Sequence, residues 1–322
     1  MLDTKHMWIA LAVLAALVFA YDWARRTPAG PSGEPVAYLT VVEDGRPATR
    51  TIGRKDCLAL SERVWAETQN GVECIAYLTP EGGVTGNAAI IFFEGDVADQ
   101  TPETAAQMVA GYRRVANHAR ERFGLPMIVI GRPGLMGSSG FHLLGGRRDE
   151  GEILNEAVDA VKRRFGLNRL ILAGQSGGAR VIAQLLVLGR TDIACAGMGS
   201  GAYGVPQTVS GKTRTNVFGD PGERYLVPLR LVDRVVPSSE RRLFVIGDPL
   251  DKRTSFAEQS EWANALIARG HHAKLLDANG SGPEHHGLST VALYVAGMCA
   301  SGRSDADIAA FVELQRTTPR AQ

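Results

Sequence analysis

Four short runs of this chain are apolar without interruption: AAIIFF at 88–93, MIVI at 127–130, LILA at 170–173 and LFVI at 243–246. A strand with one face in water alternates apolar and polar residues. A strand without alternation has to be covered on both faces. Between these runs lie segments with helical periodicity. In Thr104 to Phe123, for example, Ala106, Met108, Val109, Tyr112, Val115, Ala116 and Ala119 form one stripe. Short buried strands alternating with amphipathic helices predict an α/β fold, a mostly parallel sheet with helices on both faces. Further strands are expected at Val36–Val42, Val72–Leu78, Ile193–Met198 and Ala273–Asp277. Further helices are expected at Leu58–Glu67, Gly151–Phe165, Gly177–Leu188, Phe256–Arg269, Leu288–Ala300 and Asp305–Gln315. The two early strands read as an antiparallel edge, and Pro80–Asn87 as a hairpin-like turn. Gly199–Glu240 has no strong period and is rich in Gly, Pro, Ser and Thr. It is a candidate cap, a short insertion after the strand that follows the Gly177 helix.

The chain has 322 residues, 45% of them hydrophobic and 21% charged, which is enough apolar material for one large domain. A net charge of +1, with Lys and Arg spread along the chain, argues against a nucleic-acid partner. Met7–Tyr21 (MWIALAVLAALVFAY) is apolar on every face. Its 15 residues fall short of the ~20 of a membrane span and suit the apolar region of a signal peptide. Residues 1–26 therefore read as a signal peptide or a retained membrane anchor, 27–35 as a linker and 36–322 as the folded domain. A periplasmic or secreted location follows, or attachment to a membrane through residues 7–21. Four cysteines suit an oxidising compartment. Cys57 and Cys74 are close in sequence and make the first pairing. Cys195 and Cys299 either pair by elimination or remain buried thiols. No cysteine pair has metal-ligand spacing with histidines, so no metal is expected.

The run LILA leads straight into Gly174-Gln175-Ser176-Gly177-Gly178, and a helical segment follows at once. Gly-x-Ser-x-Gly between a strand and a helix is how a serine nucleophile is presented on a sharp turn. A serine hydroxyl is a weak nucleophile near neutral pH and needs a base, and the base needs an acid to orient it. Both are expected after later strands, the acid first. After LFVI comes Gly247-Asp248-Pro249-Leu250-Asp251, and Asp251 is favoured as the acid over its alternate Asp248. After AKLLD comes a glycine-rich loop ending Glu284-His285-His286-Gly287, and His286 is favoured as the base over its alternate His285. The charge that develops on the substrate oxygen needs donors. The backbone N–H groups of Gly177 and, from the loop Glu94-Gly95-Asp96, of Asp96 fill those positions. Arg132, in the glycine-rich loop 131–140, is a candidate substrate contact. His271 and His272 read as surface histidines.

Taken together, GQSGG around Ser176, GDPLD ending at Asp251 and HHG around His286 resemble the α/β-hydrolase pattern in their order and in their places at strand ends. The segment from Ile246 to Leu288 is similar to the prolyl oligopeptidase-like branch (S9-type). The resemblance covers Val36 to about Gln315. It departs from the pattern at Glu94-Gly95-Asp96, where many members carry His-Gly. It implies a serine hydrolase with Ser176 as nucleophile, Asp251 as acid and His286 as base. The substrate would be a small-molecule or peptide ester or amide, and no cofactor is required. An acyltransferase on the same triad, or a non-catalytic envelope-anchored binding protein of this fold, are the rival readings.

Overall fold

The computed structural model describes residues 34–43, 46–97, 102–140, 148–204, 208–209, 212–213 and 226–317. The apolar segment 7–21 lies outside them, as does most of the linker. So do residues 205–207, 210–211 and 214–225 of the candidate cap.

The chain enters through a separate antiparallel hairpin, β1 (Val36–Glu43) and β2 (Arg46–Gly53). A short helix α1 (Arg54–Ala59) follows. The main sheet then opens with the antiparallel pair β3 (Arg63–Thr68) and β4 (Gly71–Leu78). It continues through β5 (Ala88–Phe93), helix α2 (Pro102–Phe123), β6 (Met127–Ile130), helix α3 (Arg148–Phe165) and β7 (Arg169–Gln175). Helix α4 (Gly177–Val187) leads to β8 (Ile193–Gly199), and two residue pairs of the candidate cap form a small ladder, β9 (Thr208–Val209) with β10 (Lys212–Thr213). The chain closes with β11 (Arg242–Gly247), α5 (Phe256–Ala268), β12 (His272–Asp277), α6 (Ser289–Ala300) and α7 (Asp305–Thr317).

The eight-stranded sheet has the order β12-β11-β8-β7-β5-β6-β4-β3. All neighbours from β6 to β12 are parallel, and β4 pairs antiparallel with β6. One apolar layer joins the sheet to α3, α4 and α5, with Leu154, Ile182 and Trp262 at its centre. The other joins it to α2, α6 and α7 through Ala116, Leu293 and Ile308. Coverage on both faces is why the strands carry no alternation. Strand registers align the carboxyl ends: Phe93 lies opposite Gly174, Gln175 opposite Gly199, and Gly247 opposite Asp277. The loops that begin at Glu94, Ser176, Asp248 and Ala278 therefore leave from one edge, where ligands bind in sheets of this kind.

Three local expectations are corrected. Leu58–Glu67 is not a helix: α1 ends at Ala59, and Arg63–Thr68 is strand. Val64 and Ala66 face the main core, while Trp65 packs with Cys57, Cys74, Ala37 and Ile52 under the hairpin. Burial on both faces hid the strand period. Pro80–Asn87 is not a hairpin turn, because β4 pairs with β6 and the segment crosses over to β5. The antiparallel edge is β3 with β4, and β1 pairs with β2 instead. Two disulfides form, Cys57–Cys74 and Cys195–Cys299, the second fastening the middle of the sheet to α6. Among the described residues no helix is long and apolar enough to cross a membrane.

Candidate active site

Ser176 sits at the junction of β7 and α4 with φ 57° and ψ −121°. A non-glycine residue in that region is strained by roughly 1–3 kcal/mol, and such strain persists only where the surroundings enforce it. Here Ser176 N–H donates to Gly199 O at 2.8 Å, and its own carbonyl accepts from Arg180 N–H at 3.1 Å. The flanking glycines are required by contact. A Cβ on Gly178 would lie 2.1 Å from the Phe93 carbonyl oxygen, and one on Gly174 2.8 Å from the Gly178 carbonyl. The elbow is therefore pressed into the end of β5, and the serine is turned out of the helix line.

His286 and Asp251 meet. His286 Nδ1 is 2.9 Å from Asp251 Oδ2 and 3.1 Å from Oδ1. The Asp251 side chain has no exposed surface, and that of His286 is 12% exposed. Burial alone would raise the Asp251 carboxyl. Hydrogen bonds from His286, Thr254 and the Arg253 and Thr254 N–H groups outweigh it and hold the group below the usual carboxylate range. An ionised, fully hydrogen-bonded carboxylate fixes the imidazole with its proton on Nδ1. That leaves Nε2 as the atom able to accept a proton.

The alternates form a second pair. His285 Nδ1 is 3.0 Å from Asp248 Oδ2, which also accepts from Gly280 N–H at 2.8 Å, while Oδ1 accepts from Leu250 N–H at 2.8 Å. Asp248 thus ties the acid loop to the histidine loop. The backbone bond from Lys252 N–H to Glu284 O adds to that tie.

Gln175, which sequence reasoning passed over, links the elbow to His286. Its Nε2 donates to the His286 carbonyl at 2.8 Å, and its Oε1 accepts from Ser289 Oγ at 3.0 Å. A signal was present: one polar residue ending an otherwise apolar buried strand needs partners close by.

The loop after β5 stands beside the elbow. A Cβ on Gly95 would lie 3.2 Å from Ser176 Cβ. The Asp96 carboxylate is held by Arg132 Nη1 at 2.6 Å, with Arg180 Nη2 3.6 Å away. Those cations offset the negative charge that the Asp96 carboxylate brings to this loop. Arg132 also donates to the Glu94 carbonyl at 3.3 Å and through Nε to Glu150 at 2.8 Å. The expectation that Arg132 touches substrate is corrected, since its side chain has no exposed surface and is taken up by Glu150 and Asp96. Burial alone would lower its guanidinium pKa, but the two carboxylates outweigh that and raise it. Glu94 is different: burial pushes its carboxyl up, against the opposing pull of the Gly95 N–H and of Arg132. His272 is exposed and bonded to Asp305, whereas His271, expected at the surface, is buried. Among the described residues no group of three or more His, Cys, Asp or Glu side chains could hold a metal ion.

The architecture is the α/β-hydrolase fold. The chain is similar to an esterase from Pyrococcus furiosus, with a TM-score of 0.51 at 16% identity over 86% of this chain and 98% of that one. It is also similar to prolyl oligopeptidase B from Galerina marginata, with a TM-score of 0.51 at 15% identity over 75% of this chain and 37% of that one. At these identities the likeness is one of fold. No protein-family model matches the sequence, and no curated protein matches it.

Proposed function

We propose that this protein is a serine hydrolase that cleaves an ester or amide through an acyl-enzyme. The observation that carries the reading is the convergence at one sheet edge. A serine held at φ 57° is tied through Gln175 to a histidine whose Nδ1 is fixed by a buried carboxylate. Ser176 Oγ attacks the carbonyl carbon while His286 Nε2 takes its proton. The same nitrogen then returns that proton to the departing alcohol or amine. Asp251 holds the imidazole in the required tautomer and stabilises its cation. The N–H groups of Gly177 and Asp96 receive the oxyanion, worth about 3–4 kcal/mol per donor in sites of this type. Water, activated by His286, releases the acid. The two disulfides support export to an oxidising compartment, with residues 1–26 as the exporting or anchoring segment.

The test is labelling with a fluorophosphonate, located by peptide mass spectrometry. The adduct is expected on Ser176 and absent in Ser176→Ala. His286→Ala should lower turnover by about 10⁴-fold and abolish rapid labelling, whereas His285→Ala should still label. Labelling that survives His286→Ala but not His285→Ala would reverse the assignment of the base. No labelling of the native protein would sink the hydrolase reading.

A further inference from the structure

The residue after the serine is a variable position of a Gly-x-Ser-x-Gly turn, yet here it is glycine, Gly177. The structure gives a reason. A Cβ on Gly177 would collide with Asp96 Oδ1 and with Arg132 Nη1. The Arg132–Asp96 ion pair, 2.6 Å long, therefore rests directly on the backbone at the start of α4. A free side-chain tip would swing away from an added methyl group. This pair is not free, because Arg132 is fully buried and its Nε is held by Glu150 of α3 at 2.8 Å.

The same guanidinium reaches the loop after β5 twice. Its Nη1 donates to the Asp96 carboxylate and, at 3.3 Å, to the Glu94 carbonyl. Arg132 is itself anchored in a tight turn. Its carbonyl accepts from Leu135 N–H at 2.8 Å, and a Cβ on the preceding Gly131 would lie 2.8 Å from the Leu135 carbonyl oxygen. One buried side chain thus joins the loop after β6, helix α3, the loop after β5 and the first residue of α4. The last two carry the N–H groups assigned above to the oxyanion. Arg180 of α4 places a second cation 3.6 Å from Asp96 Oδ1.

We propose that Arg132 is a positioning residue: through its ion pair with Asp96 it sets the spacing between the loop after β5 and Gly177, and so the aim of both oxyanion donors. The proposal rests on the serine hydrolase reading above. Two roles for the pair differ in sign. A carboxylate acting by charge alone opposes a developing oxyanion, so its removal would speed the reaction while Arg132 and Arg180 remain. A carboxylate acting as a tie keeps the donors in place, so its removal slows the reaction. The contact with Gly177 favours the tie, since the pair touches one donor residue and belongs to the other.

The experiment measures kcat and KM for p-nitrophenyl acetate in the native protein, Asp96→Asn, Asp96→Ala and Arg132→Lys. Asp96 carries the test because its side chain is partly exposed, whereas Arg132 is buried. Asp96→Ala should lower kcat by about 10–100-fold, approaching the loss of one oxyanion donor. Asp96→Asn keeps an oxygen for Arg132 Nη1 and should lose less. Arg132→Lys keeps a cation without the fork that reaches Glu150 and Asp96 together, and it should also slow the enzyme. In each variant kcat and kcat/KM should fall together, as for a group that acts only in the transition state. Because both residues act through one pair, the double variant Asp96→Ala with Arg132→Lys should lose no more than the worse single one. An Asp96→Asn enzyme faster than the native protein overturns the proposal, as do an unaltered kcat in Asp96→Ala and a change confined to KM. A loss that disappears at a temperature where thermal melts show the variant fully folded marks a merely structural role and also overturns it. If the native protein neither labels with a fluorophosphonate nor turns over the ester, the hydrolase reading itself fails. That result is distinct from an active enzyme indifferent to Asp96 and Arg132.

Discussion

At the scale of single residues, the Asp251 carboxyl has a measurable signature. The folded state holds the Asp251 carboxyl below its usual range. A carboxyl with a lowered folded pKa contributes stability above its unfolded value of about 3.9, and that contribution is lost as pH falls through the folded value. The difference in unfolding free energy between the native protein and Asp251→Asn should therefore be largest above about pH 5 and shrink toward pH 2. Urea unfolding across that range measures it. A constant difference would mean that Asp251 is not ionised in the fold. Ser176 adds the complementary point. Its strained backbone is set by Gly199 on one side and by the packing of Gly178 on the other, and the serine side chain makes no capping hydrogen bond to α4.

At the scale of elements, the elbow depends on the close approach of α4 to β5. Gly178→Ala would drive a methyl group into the Phe93 carbonyl. It should destabilise the protein by about 1–3 kcal/mol, as overpacking does, and lower the melting temperature. A neutral effect in a thermal melt would show that the helix can shift without cost. The same comparison shows what the sequence made legible. The buried parallel strands were readable because covered strands lack alternation, and AAIIFF and MIVI can be little else. The loops carrying Ser176 and Asp251 were readable because each follows such a run, whereas the loop of His285 and His286 follows the partly buried edge strand β12. Positions β2 and β3 were not readable. Val64, Trp65 and Ala66 are buried on opposite faces by different partners, so no period survives. Arg132 was misread because its partners, Glu150 in α3 and Asp96 after β5, lie 18 and 36 residues away in the sequence. Local pattern carries no record of such a meeting. Gln175 and the Asp248–His285 pair are contacts of the same long-range kind.

At the scale of the whole molecule, the two disulfides differ in reach. Cys57–Cys74 closes a local loop of sequence separation 17, whereas Cys195–Cys299 spans 104. On a chain-entropy account the longer one is worth about 4–5 kcal/mol and the shorter about 3. Replacing both Cys195 and Cys299 with alanine should therefore lower the melting temperature more than replacing Cys57 and Cys74. Calorimetry on the two double variants decides it, and the reverse order would show that strain or packing outweighs loop length. Cys195–Cys299 has another consequence. It brackets the interval Gly199–Glu240, with Ser176 before the bracket and both Asp251 and His286 inside it. If a protease nicked the backbone in that interval, one fragment would carry Ser176 and the other Asp251 and His286. The sulfur bridge would still join the two fragments, so the nicked protein would remain one covalent molecule of two chains.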